Sequence, residues 1–212
     1  MESLALGLIG YGELGQVVER WLCETHPAPS LRYFDDIACK ADCENAFSYQ
    51  QFSSSDHQDL QFLVCLGYRQ PSAKQAAFAL LRQNESRIFS LFHRYAMISI
   101  SSQIGAGTIV GPGVVIDSGA ILGEGVLVHC NATISHDARI GSCSYVSPGA
   151  IICGRARIGE RTFIGAGAII RDGVEIGDDC RIGMGAVVDR EVPDGVSAVG
   201  SPLRLLNHHI EL

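Results

Sequence analysis

The stretch "ISHDARIGSCSYVSPGAIICGRARIGERTFIGAGAII", residues 134–170, places an aliphatic residue at every sixth position. The same step of six extends in both directions, from Ile98 to Val188, and meets 16 aliphatic residues without an exception. The fifth position of each six-residue unit holds nothing larger than valine, and the second position is often glycine. A helix has an apolar period of 3.6 and an ordinary strand a period of two, so neither alone explains this pattern.

A solenoid of short strands satisfies a period of six. Three units then form one triangular coil, with the aliphatic first residue inside and the small fifth residue where the wall turns. Coils stack at the usual strand spacing of about 4.8 Å, and glycines allow backbone conformations at the turns that other residues resist. The sequence therefore predicts a left-handed parallel β-helix over residues 92–193. Residues 194–212, with the amphipathic "LRLLNHHI", are predicted to cap its open end.

The first 91 residues lack this period and predict a separate α/β domain. "LALGLIGYGELGQVVERWL" has the pattern of a strand, a glycine-rich turn and a helix, with Gly10, Gly12 and Gly15 in a G-x-G-x-x-G motif. "LRYFDDI" predicts a second strand ending in Asp35 and Asp36, and "LQFLVCLGYRQ" a third strand before a helix over 71–84. This order predicts a truncated Rossmann-like βαβ domain that holds part of a nucleotide. The alternative is that the glycines only permit close packing of strand and helix.

The composition narrows the possible partners and compartments. A net charge of −7, a pI near 5.4 and no basic cluster argue against nucleic acid or a membrane surface as partner. The apolar start has no basic region before it, so it predicts a buried strand rather than a signal peptide, and no apolar run is long enough for membrane insertion. The eight cysteines form no C-x-x-C pair, which favours free thiols in the cytoplasm and no metal site.

The histidine and aspartate in "ISHDARIG" are candidates for chemistry. His136 and Asp137 are the third and fourth residues of their unit, at a turn that points outward, with Ser118 one coil below and Gly154 one coil above. An imidazole beside a carboxylate can act as a general base near neutral pH. The alternative is an ordinary solvated pair. For His129, seven residues earlier, the alternatives are substrate contact and simple exposure.

"NATISHDARIGSCSYVSPGAIICGRARIGERTFIGAGAII", followed by "AVGSPLRLL", resembles the bacterial hexapeptide-repeat sugar O- and N-acetyltransferases. This family includes the sialic acid O-acetyltransferase group and the N-acetyltransferases of nucleotide-linked 4-aminosugars. The "HD" followed by "IG" carries the most specific part of the resemblance, which extends over almost the whole chain.

The resemblance implies a homotrimer with active sites between adjacent β-helices. Acetyl-CoA would lie along the prism, the front domain would hold the nucleotide of the sugar, and His136 would be the general base, oriented by Asp137. Positions implied to lie near the CoA are Tyr145, Gly154, Gly185, Gly200 and Pro202. Positions implied to bind the nucleotide sugar are Gly10, Gly12, Asp35, Asp36, Gly67, Tyr68 and His129.

The sequence departs from the family pattern at several points. Leu14 replaces a histidine that many relatives have in the first turn, and His129 replaces a frequent asparagine. The third strand ends in "GYRQ", and the tail is "GSPLR". These departures bear on the acceptor more than on the reaction.

The acidic pair Asp35 and Asp36 favours N-acetylation of a nucleotide-linked aminosugar used in bacterial surface glycan synthesis. The alternative within this class is O-acetylation of a sialic-acid-type or other surface-glycan hydroxyl. A zinc enzyme of the gamma carbonic anhydrase type would need three histidines, but the coils hold only His129 and His136. A non-enzymatic scaffold would present one repeated outward residue type, whereas the outward positions here are mixed.

Overall fold

The computed structural model describes residues 4–26, 28–41 and 43–206, and the chain divides into two compact units, Met1–Arg94 and Tyr95–Leu212. The elements of the first unit are, in chain order, β1 (Ala5–Ile9), α1 (Glu13–Thr25), β2 (Ser30–Phe34), α2 (Asp36–Lys40), β3 (Ala46–Phe47), two 3-10 helices (Tyr49–Ser53 and Ser55–His57), β4 (Gln61–Val64), α3 (Pro71–Gln83), β5 (Arg87–Ile88) and β6 (Leu91–Phe92).

The first unit contains a parallel sheet in the order β3-β2-β1-β4-β5. Because β2 and β3 lie on one side of β1 and β4 and β5 on the other, the strand order reverses between β1 and β4, which is the switch point of a Rossmann-like fold. The predicted α/β front domain is therefore confirmed, while α2, β3 and β5 were not predicted. Its core includes the fully buried Leu8 and Leu63 and the aromatic side chains of Phe34, Phe62 and Phe78.

Two of the three motif glycines are required by the structure, one for its backbone conformation and one for close packing. Gly10 adopts the left-handed φ of 88° at the end of β1. A methyl group on Gly15 would lie 2.5 Å from the carbonyl oxygen of Gly10, so only glycine lets α1 approach the loop this closely. Gly12 differs, because a methyl group there would meet no atom within 4 Å.

The second unit is built from two- and three-residue strands. In chain order they are β7 (Met97–Ile98), β8 (Gln103–Ile104), β9 (Ile109–Val110), β10 (Val115–Ile116), β11 (Ile121–Leu122), β12 (Leu127–Val128), β13 (Thr133–Ile134), β14 (Arg139–Ile140), β15 (Tyr145–Val146), β16 (Ile151–Ile152), β17 (Arg157–Ile158), β18 (Phe163–Ile164), β19 (Ile169–Ile170), β20 (Glu175–Ile176), β21 (Arg181–Ile182), β22 (Val187–Val188), β23 (Ser197–Val199) and β24 (Arg204–Leu206).

Every third strand of this unit stacks in parallel, which gives three faces. We call face 1 the sheet β7-β10-β13-β16-β19-β22, face 2 the sheet β8-β11-β14-β17-β20, and face 3 the sheet that contains β9, β12, β15, β18 and β21. Ile134 pairs with Ile116 below and Ile152 above, so each coil contains 18 residues. The aliphatic and small repeat positions form one buried core, and the predicted left-handed parallel β-helix is confirmed.

The turns differ from the prediction in one respect. The fourth residue of the unit, not the second, adopts the left-handed conformation at most corners, with glycine or residues such as Asn131 and Asp137 there. The second-position glycines serve close stacking instead. A methyl group on Gly141, for example, would lie 2.5 Å from the backbone nitrogen of Glu160 in the next coil.

Buried hydroxyls tie successive coils together at the corner between faces 2 and 3. Ser144 Oγ donates to the carbonyl of Gly159 at 2.7 Å and accepts from the N–H of Thr162 at 3.0 Å. Thr162 Oγ1 in turn donates to the carbonyl of Gly177 at 2.8 Å and accepts from the N–H of Cys180 at 3.1 Å. These hydroxyls supply the hydrogen bonds that water would otherwise make to the backbone groups of an exposed turn.

Thr162→Val should therefore destabilise the β-helix by about 1–3 kcal/mol, because the isosteric side chain leaves a buried carbonyl and a buried N–H unpaired. Chemical denaturation followed by circular dichroism would measure the loss. Thr133→Val, on the outer side of face 1, is the matched control and should change stability by no more than about 0.5 kcal/mol. Equal effects of the two substitutions would contradict the role of the hydroxyl.

The described end of the chain extends face 3. β24 pairs antiparallel with β23, and Leu203 between them is buried in the β-helix core. Residues 207–212 of the predicted capping segment lie outside the described residues.

Candidate active site

His136 and Asp137 form a pair at the corner between faces 1 and 2. His136 Nδ1 lies 3.0 Å from Asp137 Oδ2, and both side chains are about half exposed. Asp137 has a φ of 58°, a conformation that aspartate and asparagine tolerate better than most residues. When Nδ1 carries the proton and donates it to Asp137, Nε2 is left as the proton acceptor.

Gly154 lies directly beside the free edge of this imidazole. A methyl group on Gly154 would lie 2.5 Å from His136 Nε2 and 2.7 Å from its Cε1, so the ring occupies space that only glycine leaves open. The coils are joined here by the N–H of Arg155, which donates to the carbonyl of His136 at 2.9 Å. Among the described residues, the N–H of Gly154 itself has no hydrogen-bond acceptor.

A second charged pair stands above the histidine, and the sequence analysis did not single it out. Arg155 Nη2 donates to Asp172 Oδ2, one coil higher at the same corner. Residues at one corner of successive coils are 18 positions apart, so this spacing was the available signal. Without the side-chain directions, nothing in the sequence distinguished this pair from other arginine–acid pairs.

The outer side of face 1 is an apolar ladder next to His136. Its residues include Val115, Ile151, Ile169 and Val187, and the two isoleucines keep 39% of their surface exposed. Exposed apolar rows of this kind mark contact surfaces.

Of the positions predicted to contact CoA, Gly154 lies beside His136, and the others are spread over the β-helix. Gly185 lies at the corner between faces 3 and 1, so face 1 separates it from His136. Tyr145 is on face 3, with its ring stacked 5.6 Å from that of Phe163. Gly200 and Pro202 lie in the turn between β23 and β24.

His129 occupies the same corner as Gly185, three coils lower. Its Nδ1 accepts from the N–H of Cys130 at 2.9 Å, and its ring is 6.4 Å from that of Tyr145. Burial lowers the pKa of His129 below its usual value, so the neutral ring with its proton on Nε2 is favoured.

The front unit has a cleft of about 380 Å³ at the carboxyl ends of β1 and β4, the switch point of its sheet. The residues that line it include five of the predicted nucleotide-sugar positions, namely Gly10, Gly12, Asp35, Gly67 and Tyr68. Asp36 lines an adjoining cleft of about 320 Å³, which shares Asp35 and Ile37 with the first cleft. The arginine that follows Tyr68 places its guanidinium 5.7 Å from that ring.

Asp35 also has a structural task in this unit. Its carboxylate accepts from the N–H groups of Ile37 and Ala38 at the start of α2, and from Tyr11 N at 2.9 Å. Burial opposes ionisation, but these three donors outweigh it and hold the pKa of Asp35 below its usual value. Asp36 accepts from the N–H of Tyr49 at 2.9 Å. Asp35 is thus ionised near neutral pH and orders the loops around the cleft.

Residues 155–190 match the family described as bacterial transferase hexapeptide (six repeats). Among solved structures, the acetyltransferase domain of PglB from Neisseria gonorrhoeae FA1090, in complex with acetyl coenzyme A, is 27% identical over 97% of this chain and 100% of that chain, with a TM-score of 0.86. The chain is an acyltransferase whose second unit is a β-helix of hexapeptide repeats. This confirms the resemblance that its sequence predicted.

Two further structures resemble this acyltransferase over nearly its whole length. PerB from Caulobacter crescentus, in complex with CoA and GDP-perosamine, is 25% identical over 98% of this chain and 99% of that chain, with a TM-score of 0.87. A histidine-to-alanine mutant of GDP-perosamine N-acetyltransferase from the same organism, also with CoA and GDP-perosamine, is 25% identical over 98% of each chain, with a TM-score of 0.87. No curated protein sequence matches the acyltransferase.

Within the described residues, the acyltransferase has no group of histidine, cysteine and acidic side chains that could hold a metal ion. No helix in that part of the chain combines the length and hydropathy needed to cross a membrane.

Proposed function

We propose that this chain transfers the acetyl group of acetyl-CoA to the amino group of a nucleotide-linked aminosugar, with His136 as the general base. The observation that carries the proposal is the position of His136 Nε2 beside Gly154, whose N–H has no acceptor among the described residues. A proton acceptor and a backbone donor then lie together where an acyl group can be attacked.

The chemistry follows from this arrangement. His136 Nε2 takes a proton from the ammonium group of the acceptor, and the resulting neutral amine attacks the thioester carbonyl carbon directly. The N–H of Gly154 stabilises the oxyanion of the tetrahedral intermediate. The carbon–sulfur bond then breaks, the imidazolium passes its proton to the departing thiolate, and the new amide nitrogen releases its extra proton to solvent. Asp137 keeps the Nδ1 proton in place throughout, so that Nε2 is the acceptor at the start of each cycle.

The front cleft supports a nucleotide as the handle of the acceptor. It lies at the start of α1, where unpaired N–H groups and the helix dipole favour phosphate, and Gly12 leaves the approach open. One relative was solved with CoA and GDP-perosamine together, a nucleotide-linked sugar in the presence of the spent cofactor. Tyr68 and the neighbouring arginine line the same cleft and offer an aromatic face and a cation to the nucleotide.

The apolar ladder of face 1 supports assembly as a homotrimer with active sites between subunits. His136 borders one edge of this face and Gly185 the other. In a cyclic trimer, every interface joins one surface of a subunit to a different surface of its neighbour. His136 of one subunit and Gly185 of the next can then approach one acetyl-CoA molecule.

The test is thiol release from acetyl-CoA by the purified protein, with a panel of UDP-, dTDP- and GDP-linked 4-aminosugars, their 4-hydroxyl counterparts, and free and CMP-linked sialic acids. We expect turnover with an aminosugar, and an N-acetylated product by mass spectrometry. Turnover confined to sialic acids or other hydroxyl acceptors would contradict the proposal and assign O-acetylation. Absence of turnover together with absence of acetyl-CoA binding would contradict the transferase assignment for every acceptor.

A further inference from the structure

We call the space between Gly154, His136 and Asp172 the gap. His136 Nε2 borders it on one side, and a second polar atom borders it on the other. A methyl group on Gly154 would lie 2.8 Å from Asp172 Oδ1, as well as 2.5 Å from His136 Nε2. Both distances are measured from the same point, so His136 Nε2 and Asp172 Oδ1 can be no farther apart than the sum of the two. A single nitrogen atom making two hydrogen bonds of about 2.8 Å can therefore contact both atoms.

Arg155 binds the far oxygen of the same carboxylate. Its Nη2 donates to Asp172 Oδ2, while Oδ1 borders the gap. Both side chains are about half exposed, so they are accessible to a bound molecule. The gap thus has a proton acceptor on one side, an anionic oxygen on the other, and the glycine backbone as its floor.

We propose that Asp172 binds the amino group of the acceptor and makes the site selective for amines over hydroxyls. This inference rests on the proposed function, since it assigns a further residue to the same site. An ammonium group has three protons, and can donate one to Asp172 Oδ1 and another to His136 Nε2. A sugar hydroxyl has one proton, so once it donates to His136 its oxygen lone pairs face the carboxylate.

The carboxylate also acts during the attack. As the neutral amine bonds to the thioester carbonyl carbon, its nitrogen gains positive charge, which Asp172 stabilises at short range. Over the full reaction, the ammonium group loses two protons. His136 accepts the first and passes it to the CoA thiolate, and the second leaves the new amide nitrogen for solvent. The products are the N-acetyl sugar, CoA thiol and one released proton.

The experiment compares wild type, Asp172→Asn and Glu175→Gln with an accepted 4-aminosugar nucleotide and its 4-hydroxyl counterpart, in turnover and in calorimetric binding. Glu175 is a matched control, because it accepts a hydrogen bond at 3.0 Å from Arg157 in the adjacent coil, with similar exposure, but on face 2 away from His136. For Asp172→Asn we expect kcat/KM with the amine to fall about 10- to 100-fold, since a charged hydrogen bond is lost. The KM for acetyl-CoA should stay within about threefold.

The outcomes separate this inference from the proposed function. A wild-type preference for the amine that shrinks in Asp172→Asn and persists in Glu175→Gln supports it. A wild-type preference that survives Asp172→Asn overturns the role of Asp172 and leaves the proposed function intact. If the wild type shows no preference for the amine in either turnover or binding, the inference falls together with the proposed acceptor.

Discussion

His136→Ala should lower kcat with the preferred acceptor by at least about 100-fold, because general-base catalysis typically contributes that factor or more. The side chain lies at the surface and, within the part of the chain that the structure describes, hydrogen-bonds only to the adjacent Asp137, so the fold should be retained. Thiol release from acetyl-CoA under saturating acceptor measures the effect. Circular dichroism and calorimetric titration of acetyl-CoA should give values close to those of the wild type.

His136→Asn provides the conservative comparison. The amide can form hydrogen bonds but cannot accept a proton near neutral pH, so its kcat should resemble that of the alanine variant. If either variant kept kcat within fivefold of the wild type, another group would have to be the base. In that case the acyltransferase assignment would stand, and the proposed mechanism would be wrong.

Gly154→Ala should inactivate the enzyme by roughly 100-fold without unfolding it, since a catalytic group displaced by about 1 Å can cost that much. The new methyl group would overlap the imidazole, which must then rotate away from the gap. Because the imidazole and the Asp172 carboxylate can both move into solvent, the cost to stability is small. Gly154 does not have a left-handed φ, so alanine also fits the backbone.

The double variant His136→Ala/Gly154→Ala distinguishes displacement of the base from other damage. If the methyl group acts only by moving the imidazole, it has nothing to move in the His136→Ala background. The double variant should then have the same kcat as His136→Ala alone, which is strong non-additivity. A further large loss in the double variant would mean that the methyl group also disturbs the Asp172 carboxylate, the N–H of Gly154 or the binding of acetyl-CoA.

Much of the β-helix was predictable because the period of six records which side chains point inward. From Ile98 to Val188, each aliphatic first position marks a strand, and the order of the three faces follows from counting. The role of the glycines was not predictable in the same way. Whether a glycine serves a left-handed turn or close stacking depends on the distance to the next coil, as at Gly141, and the sequence does not contain that distance.

The front unit and the site were predictable only in part. The motif around Gly10 and Gly12 indicated a Rossmann-like turn, but the short β3 and β5 have too few residues to show a period. Asp35 was predicted to bind the nucleotide sugar, and its capping of α2 depends on a helix that the sequence did not reveal. Asp172 was missed because it lies 36 residues from His136, and only the stacking of coils brings the two side chains to one gap.

The strict coil length makes the second unit a molecular ruler. Each step of 18 residues raises a side chain by one strand spacing of about 4.8 Å, so His136, Gly154 and Asp172 stand at successive marks along one corner. An insertion or deletion of 18 residues above them would move the end of the prism by one mark and preserve all three faces. An insertion of six or twelve residues would keep the strands in register but move every side chain above it to another face, and lengths that are not multiples of six would break the register. At any one corner, the reach between the histidine and a residue nearer the far end can therefore change only in whole steps.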